Sequence, residues 1–229
     1  MTKQNMKHKR VGVIGEHPNN DSEAMIALLE KHLQENISLE LLDIKNMRGS
    51  AMDSPNFARE LVDKLIDENF DYLIVLRDLD FLRDKNKTEK QRINDKDKWF
   101  TKVYKSMGAL DVKGIFFLII YELEALMLCD LSAVNTFFDL NISFTKKPID
   151  EKNPKEFLQN ATQNSVKGRY EEKNAKDIFT ALDFQKLYDN HTGKRSFRVF
   201  ADDLKREAIV NLDLHFAFFK PPQPVCTLR

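Results

Sequence analysis

Five carboxylates stand where strand-like runs of this sequence end, and carboxylates placed there suit a hard divalent cation. Residues 11–14 are followed by Glu16, residues 73–76 by Asp78 and Asp80, and residues 115–120 by Glu122 and Glu124. Ligands of an open α/β sheet bind outside the carboxyl ends of its strands, so parallel neighbours would bring all five acids to one edge. Crowded carboxylates repel and raise one another's pKa unless a cation sits among them. Mg²⁺ (or Mn²⁺) takes oxygen ligands, uses few protein carboxylates and keeps positions open for phosphate oxygens. That chemistry is phosphoryl transfer or phosphodiester cleavage.

Each acid has a plainer reading too. Asp78 and Asp80 are turn formers, and Glu122 and Glu124 are first-turn acids facing a helix dipole. Glu16 suits a solvated turn, and Glu23, three residues after Asn20, suits a helix cap. The repetition at three successive strand ends carries the prediction, not any single residue.

The elements that must position these acids alternate in period. Strand-length apolar runs at 11–14, 39–44, 71–76 and 115–120 alternate with helix-period segments. One helix shows Met25, Leu28, Leu29 and Leu33 on a face. Another opens at Pro55 and runs to Asn69 with Phe57, Leu61, Leu65 and Ile66 as its stripe. A third starts within residues 122–130. Short helices are expected around 154–162, 177–188 and 196–209. The alternation predicts an α/β fold with a mostly parallel, Rossmann-like sheet flanked by helices. Residues 1–150 form that domain, and residues 151–229 form a helical extension packed on it.

Composition narrows the partners. The chain has 229 residues, 42% apolar and 31% charged, with 36 basic against 36 acidic side chains, as in an ordinary globular domain. With no net charge there is no global field to gather a polyanion, so any nucleic-acid surface is local. The polar stretch 83–105 has nine basic residues against four acidic ones and is one candidate surface; Lys167, Arg169 and Lys173 form another. Most of these lysines also fit a solvated helix face. Trp99 and Phe100 inside that stretch could stack on a base but read first as anchors to the core, and His17 beside Glu16 could shuttle protons but reads first as a turn residue. Cys129 and Cys226 make no disulfide framework. The apolar run 114–128 is interrupted by Glu122 and Glu124 and is too short for a bilayer. No signal-peptide pattern follows the basic start. A cytoplasmic protein without a membrane partner is expected.

Gly15-Glu16 after the first strand and Asp78-Leu79-Asp80 after a later one, with α/β alternation between, resemble the Toprim domain of topoisomerases, bacterial primases and nucleases of the overcoming-lysogenization-defect type. The segment Tyr121-Glu122-Leu123-Glu124-Ala125-Leu126-Met127-Leu128-Cys129-Asp130 is similar to the E-x-E-A-W-x-L-A-D element of a bacterial Toprim-like family, domain of unknown function 4276. Asn153-Pro154-Lys155 and Ser196-Phe197-Arg198-Val199-Phe200 are similar to its N-P-K and S-F-R-x-F elements. His17 stands where Toprim domains carry a glycine, and Leu126 replaces the family's tryptophan.

The resemblance implies a Toprim-like, Mg²⁺- or Mn²⁺-dependent nuclease or phosphotransfer enzyme acting on DNA or RNA. It implies Glu16 as ligand and general acid/base, and Asp78 and Asp80 as metal ligands. Glu122 and Glu124 would support a second ion, and Lys155 and Arg198 would contact phosphate or the transition state. It also implies a role in bacterial anti-phage defence, often beside a partner ATPase; the chain has no G-x-x-x-x-G-K-[ST] loop, so any ATP use would come from another protein. The alternative is a non-catalytic Toprim-fold binding or scaffold subunit of a multi-protein defence or DNA-processing complex. Primer synthesis is disfavoured, since no zinc-binding or helicase-contacting module accompanies the domain.

Overall fold

The computed structural model describes residues 7–45, 48–54, 56–79, 87–108, 110–119 and 121–211. At its centre lies a sheet of four described strands, β1 (Lys9–Ile14), β2 (Ile37–Leu41), β3 (Tyr72–Asp78) and β4 (Lys113–Ile119). They are ordered β2-β1-β3-β4 and every pairing is parallel. Helices α1 (Glu23–Leu29), α2 (Phe57–Glu68) and α3 (Glu89–Met107) lie between successive strands, as parallel pairing requires. The fold is therefore the α/β class expected, with an all-parallel sheet flanked by helices.

The chain moves outward from β1 to β2, then returns past β1 to β3. Right-handed crossovers made in opposite directions put their helices on opposite faces. One apolar layer joins Val11, Val13, Ile74, Leu76 and Phe117 to Met25 and Leu28 of α1. The other joins Ile14, Leu73, Val75 and Leu118 to Leu61 of α2 and Val103 of α3. The period of two along each strand sorts the side chains between these layers.

Among the described residues five further α-helices follow β4: α4 (Leu131–Phe138), α5 (Pro154–Ala161), α6 (Ala175–Ala181), α7 (Phe184–Asn190) and α8 (Phe197–Arg206). They complete the α1 layer. The Phe200 ring of α8 stacks on Phe117 of β4 with centroids 4.7 Å apart, and Ile178, Leu187 and Phe197 join the same cluster as Val11. The C-terminal helices thus share a core with the sheet.

Local expectations shift in four places. The polar stretch continues into a 19-residue helix, opened by a reciprocal cap between Thr88 and Gln91 and buried through Phe100, Val103 and Met107. The Asn20–Glu23 capping box does not form: Asn20 Nδ2 donates to Glu172 and Glu23 pairs with Lys176. Residues 177–188 divide into α6 and α7, because Asp183 accepts hydrogen bonds from the Gln185 and Lys186 amides and starts a new helix. Leu123–Asp130 is a 3₁₀ helix with all eight residues buried. A segment enclosed on every side is shaped by its packing rather than by a helical stripe.

Candidate metal centre

The sheet reverses its strand order between β1 and β3, and such a switch point opens a crevice beyond the strand ends. Glu16 lies two residues past β1 and Asp78 is the last residue of β3. They line a cavity of about 170 Å³ together with Asp21, Glu122, Glu124 and Glu172. Four of the five acids singled out in the sequence thus meet at one cavity. Asp80 lies outside the described residues.

Backbone geometry brings them in. A Cβ on Gly15 would come within 3.0 Å of the Asp21 Cβ and 3.1 Å of the Ser22 hydroxyl, so a larger residue there would push the 18–22 turn away. The turn carries Asp21 inward, where its carboxylate accepts the His17 amide at 3.0 Å. Beyond β4, Tyr121 adopts φ 73°, a left-handed conformation strained for a bulky residue. That turn redirects the chain so that Glu122 and Glu124 face the cavity rather than continuing the strand.

The electrostatics are those of crowded, poorly hydrated carboxylates. Burial pushes the Asp78 carboxyl well above its ordinary range, and Asp21, Glu16, Glu124 and Glu122 add repulsion. Its Oδ1 is closed off from solvent with no hydrogen-bond partner among the described residues. Burial and then the Glu122 charge raise Glu124 to about 7, although Tyr170 donates to its Oε1 at 3.0 Å. Asp21 also rises to about 7, through burial and then Glu16, against the His17 amide. Glu122 is raised by burial and eased by the Lys155 amide, which donates to Oε2 at 3.1 Å at the start of α5.

Cations border the acids. Lys155 lines the cavity with its ammonium on Glu172, and the Glu172, Glu124 and Glu122 charges raise its pKa against the opposing effect of burial. Arg77 is 1% exposed, with Nε 3.0 Å from Glu16 Oε1, an ion pair by distance without the alignment of a hydrogen bond. Lys96 of α3 lies 4.0 Å from the same oxygen and 3.4 Å from Asp53.

Other expected contacts lie elsewhere. Arg198 does not line the cavity; its Nε donates to the Tyr188 carbonyl at 2.9 Å, and its guanidinium covers the Tyr188 ring. Ser196, Phe197 and Phe200 are buried, so the S-F-R-x-F element packs α8 and its arginine secures the end of α7. Asp130 likewise joins segments, accepting from the Asp183 amide and Lys186. Trp99 anchors α3 as expected, donating to the Met52 carbonyl at 2.8 Å and packing on Phe57. Of the basic stretch, Arg83 and Lys85 lie outside the described residues, and Lys98 pairs with Asp95 at the surface.

Sequence reasoning missed Asp21, Glu172, Tyr170 and Arg77. Gly15 at the strand end was a local signal that could have marked the close approach of the following turn; nothing local marked Tyr170 or Glu172. The donors present fit a hard cation in kind: they are carboxylate oxygens, and one of them, Asp78 Oδ1, is closed off from solvent with no partner among the described residues. Among the described residues no three Asp, Glu, His or Cys side chains are gathered at ligand spacing around one point. Comparison with protein-family models, with curated proteins and with solved structures found no match for this chain.

Proposed function

We propose that this cavity is the metal centre of a Toprim-like phosphodiester-cleaving enzyme acting on DNA or RNA. The observation that carries the reading is Asp78 Oδ1, closed off from solvent at a strand end with no hydrogen-bond partner among the described residues, on a carboxyl that feels four other acids. Folding gains nothing from such an arrangement, because each buried carboxyl pays desolvation and repulsion. A divalent cation removes both costs. Asp78, Glu16 and Glu124 would hold it, with Glu122 and Asp21 beside them, and the metal would supply Lewis-acid polarisation of a phosphate oxygen.

The chain's own residues then divide the remaining work. Glu16 would relay a proton at the reacting oxygen. The Lys155 ammonium would meet a phosphate oxygen, and Tyr170 would hold Glu124 in orientation. Action in anti-phage defence, with a separate ATPase, extends the same reading. Among the described residues no helix is long and apolar enough to cross a membrane.

The test is cleavage of single- and double-stranded DNA and of RNA with Mg²⁺ and with Mn²⁺, beside Asp78→Asn and Glu16→Gln. Metal-dependent cleavage lost in both variants supports an enzyme. The second reading, a non-catalytic scaffold, is favoured by the Arg77 ion pair, which engages Glu16 from within the protein. Metal binding without cleavage of any of the three substrates would decide for the scaffold.

A further inference from the structure

Arg77 and Asp78 are consecutive residues of β3, so their side chains leave the sheet on opposite faces. Asp78 faces the acidic cavity. Arg77 enters the layer under α3, where its guanidinium lies 4.6 Å from the Trp99 ring centroid. From there Nη2 donates to Asp53 Oδ1 at 2.9 Å and Nε reaches Glu16 Oε1 at 3.0 Å. Lys96 closes an alternating set of charges. The 49–53 turn is docked onto the same strand end, since the Gly49 amide donates to the Glu16 carbonyl at 2.9 Å.

Stability alone gives weak reason for this network. A buried ion pair offsets its desolvation poorly, and well-packed apolar side chains of similar volume do as well or better. What the guanidinium offers is placement: a rigid plane, hydrogen-bonded to Asp53 through Nη2 and lying against Trp99, that sets its charge 3.0 Å from Glu16 Oε1. Glu16 is 6% exposed, yet it also borders the cavity. It is gripped from the α3 side and presented to the other.

We propose that Arg77, braced by Trp99, Asp53 and Lys96, is a positioning residue that sets the Glu16 carboxylate to receive a divalent cation. This assignment rests on the metal reading of the cavity. Groups that orient metal ligands change affinity or activity by about 10–100-fold when removed, and that is the effect expected of Arg77→Met.

The experiment measures Mn²⁺ affinity of the full chain by calorimetry and by electron paramagnetic resonance. The variants are Arg77→Met, Arg77→Lys, Glu16→Gln, the Glu16→Gln/Arg77→Met pair and Asp78→Asn, each with its thermal unfolding recorded. Arg77→Met should weaken Mn²⁺ binding about tenfold when Glu16 is present and cause no further loss in the Glu16→Gln background. Arg77→Lys keeps the charge but not the rigid plane; it guards against an unfolded methionine variant and should restore only part of the affinity. Equal losses in both backgrounds, or unchanged affinity in Arg77→Met and Arg77→Lys while Asp78→Asn abolishes binding, would overturn the assignment and leave the metal site standing. Absence of Mn²⁺ binding by the native chain would overturn both.

Discussion

The Tyr170 hydroxyl donates to Glu124 Oε1 at 3.0 Å across 46 residues of sequence. Tyr170 precedes α6 and is buried, whereas Glu124 follows β4. The bond therefore ties the C-terminal third of the chain to the acids at the sheet edge. It also uses one of the few donors that reach those acids, which makes it a sensitive point for stability and for the protonation of the site.

Tyr170→Phe should cost about 1.5 kcal/mol, the size of a hydrogen bond to a charged or partly charged acceptor. The same change should raise the Glu124 pKa further, since the hydroxyl favours the ionised form. Thermal unfolding and carboxyl-carbon NMR titration check the two effects separately.

Stability of the metal-free chain should fall as pH rises between about 4.5 and 7 on account of Glu124. Its folded pKa is about 7 against an ordinary 4.5, so in that window the folded state holds a proton that the unfolded chain has released. Folding then binds the extra proton, and stability declines by up to about 1.4 kcal/mol per pH unit before levelling off. Glu124→Gln should remove this slope. Melting temperatures of the two proteins across pH 4 to 8, compared as a difference, provide the check.

Asp78→Asn should make the metal-free protein more stable, by about 0.5–2 kcal/mol, while removing its metal response. The carboxyl is pushed up by burial and by four neighbouring acids, and a neutral amide has no charge to desolvate or repel. Denaturant unfolding with and without Mn²⁺ reads it: added metal should stabilise the native chain and leave the variant unchanged. A variant less stable than the native chain would contradict that repulsion.

Lys155→Met and Arg198→Ala should separate cleanly in a cleavage assay. Lys155 lines the cavity, and its loss should lower turnover about 100-fold if it meets a phosphate in the transition state. Arg198 holds the Tyr188 and Asp189 carbonyls; its loss should cost about 1 kcal/mol of stability and leave Mn²⁺ affinity unchanged.

Trp99→Ala should destabilise the protein by about 3 kcal/mol, through lost packing on Phe57 and Phe100 and an unpaired Met52 carbonyl. Trp99→Phe should recover most of that. A role in base stacking would instead leave stability unaltered and change nucleic-acid affinity.

Four strands, their parallel arrangement and the acids Glu16, Asp78, Glu122 and Glu124 at their ends were legible in the sequence, because strand runs and punctuating acids are local patterns. Helix α3 was obscured by its charge: its buried residues are Arg92, Phe100, Val103 and Met107, and the Thr88–Gln91 cap was the clearer signal. Arg198 lies outside the cavity lining, because a motif fixes neighbours along the chain and not which way the helix that carries it turns.

The amino-acid order by itself determined the layer architecture and the chemical kind of the site, since burial period and carboxylate spacing depend on residues close in sequence. Tertiary structure alone decided that Asp21 and Glu172 join the cavity, that Tyr170 orients Glu124, and that Arg77 grips Glu16. Those relationships are set by a glycine-permitted turn, by the left-handed bend at Tyr121 and by helices packing across the sheet. Contacts of that kind depend on distances through space, which no local spacing of residues encodes.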